Sequence, residues 1–116
     1  MKNTQIKIVT KESLINLLET KDKSHVLGRA LVALFARQTR DEQKDNTTEE
    51  YNGIGFTGAD GRSGSLTAKY WMKHGKLEQW QIDRWMKKSE KTGLPRICKY
   101  ANQLNQIACE RLLNTI

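Results

Sequence analysis

Apolar residues in this chain fall into helical stripes separated by polar breaks. Leu14, Leu17 and Leu18 recur at helical spacing after Thr10, a plausible N-cap with Glu12 in the first turn, and predict a helix ending near 21–23. Ser24 is placed to cap a second helix. Its stripe is Leu27, Ala30, Leu31, Leu34, Phe35 and Gln38, and charges dominate after Arg37. Gly28 sits early in that helix, where it costs about 1 kcal/mol against Ala, so close packing against a neighbouring helix is expected there. A short helix is expected over about 65–74, closed by Gly75 in the left-handed conformation. The next stripe holds Leu77, Trp80 or Gln81, Ile82, Trp85 and Met86, with Gly93 as its expected end. Pro95 then suits the first turn of a last helix striped by Ile97, Tyr100, Ala101, Leu104, Ile107 and Ala108. That stripe is expected to pack on Leu27, Leu31, Leu34 and Phe35.

Before the first helix, "QIKIVT" alternates polar and apolar, which suits a short strand or an extended arm over 1–10. The pattern as a whole predicts an all-α or mainly α single domain over 1–116, with about five helices and one long glycine-rich loop. At 116 residues the chain is long enough to bury one modest core without staples.

That loop lies within "YNGIGFTGADGRSGS", which holds five of the chain's eight glycines. A dinucleotide fingerprint needs a strand before it and a helix at once after it, but a polar loop precedes this segment. A Walker loop needs a Lys-Ser/Thr ending, which is also missing. The simpler reading is a compact turn with Phe56 in the core, an exposed backbone over 57–64, and Asp60 capping a following turn. A loop that lets a partner approach closely is the alternative.

Charge adds a partner class. The chain carries +7 with a pI near 9.6, a balance that favours polyanions or acidic protein faces. Residues 1–57 hold nine basic against eight acidic residues, whereas 58–116 hold eleven against five. The basic surface therefore belongs to the C-terminal half. Arg84, Lys87, Lys88 and Lys91 follow i, i+3, i+4, i+7 spacing, which on a helix makes one face, extended by Arg96. Lys69, Lys73 and Lys76 are expected to form a second group on the preceding helix, and Arg62 lies in the glycine segment. Trp71, Trp80 and Trp85 crowd into fifteen residues, too many for all to be fully buried. An exposed one among lysines, with Trp71 a candidate, would stack on an unpaired base or anchor a protein contact.

No catalytic residues, cofactor-binding residues or metal ligands are predicted. His25 and His74 are far apart and no Cys/His cluster has zinc spacing. Nothing adjacent supports a Cys98–His74 nucleophile pair, and the carboxylates of the C-terminal half do not form a nuclease pattern. Cys98 and Cys109, eleven apart in what reads as one helix, would be separated by about 16 Å and are expected to be reduced. With no apolar run of membrane length and no signal-peptide pattern, the expected location is the cytoplasm.

From about Leu27 to Ala108 the chain resembles a small module of bacteriophage and plasmid proteins, also found attached to some bacterial superfamily 2 helicase-like proteins. The matching residues are Arg37, Gln38, Thr39, Asp41 and Glu42; then Asn52, Gly53, Gly55, Phe56 and Asp60; then Lys99, Tyr100, Gln103, Leu104, Ile107 and Ala108. The chain departs from the pattern after Asp60, at "GRSGS". The resemblance implies a mobile-element context close to nucleic-acid transactions and supplies no reaction. The expected function is a non-enzymatic accessory protein that binds nucleic acid or a nucleic-acid-processing host protein. The alternative is a protein-binding modulator or inhibitor of a host enzyme or defence system.

Overall fold

A computed structural model describes residues 8–38 and 55–114, with side chains as far as Arg111. The described residues form five helices: α1 (Lys11–Thr20), α2 (Lys23–Phe35), α3 (Gly61–His74), α4 (Gln79–Met86) and α5 (Ala101–Asn114). Short 3-10 turns at Gly58–Asp60 and Arg96–Tyr100 lead into α3 and α5. The protein is all-α, with no strand among the described residues. The strand or arm expected over 1–10 lies mostly outside them. Its end is tied down, since the Ile8 and Val9 amides both donate to Asn105 Oδ1 on α5, at 2.7 and 2.8 Å.

Thr10 caps α1 as expected, its hydroxyl accepting from the Ser13 amide while Ser13 Oγ accepts from the Thr10 amide. Asp22, rather than Ser24, caps α2. Ser24 Oγ instead accepts from the Leu77 amide at 2.7 Å, joining α2 to the segment between α3 and α4. Gly75 closes α3 with φ of 71°.

Leu18, Leu27, Leu31, Leu34, Trp85 and Ile97 are fully buried in one core shared by all five helices. The expected pairing of α2 with α5 is a minor one. The main partner of α2 is α3. Gly28 explains the preference: Trp71 of α3 lies directly over it, and a β-carbon there would overlap the indole ring. Sequence spacing exposes the need for close approach at Gly28, but a stripe does not reveal which helix answers it.

Two boundaries differ from expectation. Helix α3 begins at Gly61, four residues early, so the 57–64 backbone is largely helical rather than an open turn; Thr57, Gly58, Ala59 and Arg62 are exposed as expected, whereas Asp60, Gly61 and Gly64 are buried. Helix α4 stops at Met86 instead of running to Gly93. Beyond Met86 no apolar residue arrives until Leu94, so a longer helix would bury nothing. Ser89 and Thr92 also accept from the amides of Lys91 and Leu94, a local bonding pattern that competes with the helix.

Candidate nucleic-acid interface

After Met86 the chain doubles back. The Ser89 amide donates to the Leu94 carbonyl and the Arg96 amide to the Lys87 carbonyl, both at 2.9 Å. Lys88 and Pro95 form an isolated antiparallel bridge. Residues 87–96 are thus a narrow loop that returns to the core at Pro95 and Ile97. It packs beside the start of α1 and the 96–100 turn, enclosing an open groove of about 620 Å³. Lys11, Lys87, Lys88, Lys91, Arg96 and Lys99 line it, with Glu90 the one acidic group among the described lining residues. Leu94, Pro95 and Cys98 supply an apolar part of the wall.

This arrangement corrects the expected helical face. Lys87, Lys88 and Lys91 do come together, but through a loop rather than through i, i+3, i+4, i+7 geometry. Arg84 stays exposed on α4 and does not line the groove. Lys11 replaces it. No local signal in the sequence links Lys11 to this site, because only the packing of α1 against the 96–100 turn brings it there.

The groove's inner edge rests on a buried carboxylate. Asp60 is fully buried. It stands at the N-cap position of α3, but its side chain makes no capping bond; its oxygens accept from Arg96 Nε at 2.9 Å and from Arg96 Nη2, and from the Tyr100 hydroxyl at 2.5 Å. Lys99 Nζ lies 2.7 Å away. Burial pushes the Asp60 carboxyl up, but the bonds from Lys99, Tyr100 and Arg96 and the charge of Lys99 outweigh it and hold it below the usual range. Burial, and then donation to Asp60, pushes Tyr100 well above an ordinary phenol. One buried charge against two partly exposed cations leaves this cluster net positive by one.

The same network fixes the glycine segment. The Phe56 amide donates to Gln38 Oε1 and the Gly55 amide to Gln103 Oε1, while Gln103 Nε2 donates to the Gly55 carbonyl. Phe56 is buried at 2% exposure, as expected, and meets Tyr100 edge-on. Gly64 leaves room for that ring, since a β-carbon there would stand 2.5 Å from it. Gln38, Gly55, Phe56, Asp60, Lys99, Tyr100 and Gln103 therefore form one interlocking joint. Thr39, Asp41, Glu42, Asn52 and Gly53 lie outside the described residues.

The remaining candidates are dispersed. Arg62, Lys69 and Lys73 lie with Leu66 along one side of α3 by helical spacing, and Lys69 reaches over the Phe35 ring. Trp71 is half-buried between α2 and α3, edge-on to His25, so it serves helix packing. Trp85 is fully buried, and Trp80 is the tryptophan that faces out, at 63% exposure. Gln81, its alternative in the stripe, takes the buried position. Cys98 and Cys109 are not joined in a disulfide, and burial raises the Cys98 thiol above its ordinary value. They do not share one regular helix, because Cys98 lies in the 3-10 turn. No helix among the described residues is long and apolar enough to cross a membrane. No family model, curated protein or solved structure matches the chain.

Proposed function

We propose that this protein acts by binding, and that nucleic acid, alone or within a processing complex, is its partner. The observation that supports this most strongly is the groove. Lys11, Lys87, Lys88 and Lys91 converge on one concavity, with one acidic neighbour among the described lining residues, above a cluster that adds one more positive charge. Such a concentration attracts a polyanion by neutralising its phosphates and releasing their counterions. An accessory role in a mobile-element setting, without a reaction of its own, fits this proposal.

Binding of labelled random-sequence DNA and RNA, measured across salt concentrations, tests it. Four phosphate contacts predict a log–log slope near −3 and modest affinity at physiological salt. Absence of binding at low salt would remove the proposal. One feature favours a second reading, a protein-binding modulator: Trp80 is 63% exposed and Met72 53%, and exposed aromatic and Met side chains are common anchors of protein interfaces. Capture of a host protein that survives nuclease treatment and is lost in Trp80→Ala would favour that reading.

A further inference from the structure

Building on the nucleic-acid reading, we infer that the groove takes a single, unpaired strand, and that the Arg96 guanidinium is the surface on which one of its bases stacks. Shape is the first argument. Proteins that read duplexes insert a helix or ribbon into the groove of the nucleic acid. Here the concavity belongs to the protein, and at about 620 Å³ it has the size of a small-ligand site. Basic channels that follow one backbone have this inverse form.

The second argument is Arg96. Its Nε and Nη2 are both held by Asp60, which fixes the plane of the guanidinium. The Trp85 ring lies beneath it, 5.5 Å from the guanidinium carbon. The side chain is still 31% exposed and lines the groove. A flat cation, clamped at one edge and supported from below, presents a ready platform to an unpaired base, because guanidinium planes stack on bases as aromatic rings do. Among the described residues no aromatic side chain lines the groove, and Arg96 is the planar group they supply there. Leu94, Pro95 and Cys98 offer apolar wall beside it, while Lys11, Lys87, Lys88 and Lys91 are available to the phosphates.

Fluorescence anisotropy with a twelve-nucleotide strand and with a hairpin duplex of equal charge tests the strand preference. The single strand is expected to bind at least tenfold more tightly. Equal or tighter duplex binding would overturn this inference and leave the broader nucleic-acid reading standing; binding of neither would end both. A 2-aminopurine probe in the same strand, titrated with the wild-type protein, tests stacking without any substitution. Quenching on binding is expected, and unchanged emission with the probe at every position in turn would overturn the stacking role. Arg96→Lys keeps the charge but loses the plane. In a variant shown to be folded, it is expected to weaken single-strand binding about tenfold with the salt slope unchanged. Wild-type affinity in that folded variant would also overturn the role.

Discussion

The glycine-bearing segment 55–64, which leads into and opens α3, and the lysine-bearing segment 87–96, which follows α4, are built in opposite ways. The first sends its large apolar residue and its carboxylate inward. Phe56 and Asp60 are buried, and its backbone is tied to Gln38, Tyr100 and Gln103. The second is held by backbone bonds within itself, and Lys87, Lys88 and Lys91 stand in solvent. One segment therefore carries stability and the other carries charge outward. Substitutions should divide along the same line.

The largest effect is expected at Phe56. Its ring fills the space between Gly64, Trp85 and Tyr100. Phe56→Ala should cost about 3–5 kcal/mol, read by urea or thermal unfolding. A transition indistinguishable from wild type would mean that the 55–64 segment is not part of the core.

Asp60→Asn comes next, at roughly 3 kcal/mol. This lies at the low end for a broken buried pair, because Arg96 and Lys99 are partly exposed and can turn to water. The folded pKa of Asp60 is depressed. Its contribution is therefore complete above the unfolded value, about 3.9, and is lost as pH falls through the lower folded value. Wild-type stability should decline across that acid window, and the Asn variant should show a flatter profile there. Parallel profiles would show that the carboxylate charge is not what Arg96 and Lys99 hold.

Gly28→Ala should cost about 1–3 kcal/mol, since the new methyl forces Trp71 and α3 away from α2. Far-UV circular dichroism should stay helical while the thermal midpoint falls. An unchanged midpoint would show that the two helices separate without cost.

The helices were legible in the sequence because their apolar stripes repeat with the helical period, and Thr10 and Gly75 mark ends by local chemistry. Burial of Phe56 was legible too, as one large apolar residue among small ones. The end of α4 was not, because Lys87, Lys88 and Lys91 satisfy helical spacing whether or not a helix continues. The Asp60 joint was hidden for a different reason. Its partners lie 36 to 40 positions away, and residue spacing along the chain does not record which atoms meet across that distance. In the candidate interface, the charge of 87–96 was visible in the chain, while the concavity and Lys11 came only from tertiary packing.

The smallest effect on stability should come from the lysines, and it sharpens the comparison most. Lys87, Lys88 and Lys91 are exposed, and surface changes of this kind usually stay within about 0.5 kcal/mol each. The combined Lys87→Glu, Lys88→Glu, Lys91→Glu variant should therefore unfold nearly as wild type does. Relief of repulsion among these lysines, Lys11 and Lys99 offsets any lost contact. Nucleic-acid binding should respond strongly. Each phosphate contact removed lowers the magnitude of the salt slope by about 0.7 to 0.9, so three removals should bring a slope near −3 close to −1. Charge reversal also places three carboxylates beside the phosphates, which slows association as well as weakening the complex. A folded triple variant that binds with the wild-type slope would move the interface elsewhere, with Arg62, Lys69 and Lys73 on α3 the next basic surface to test.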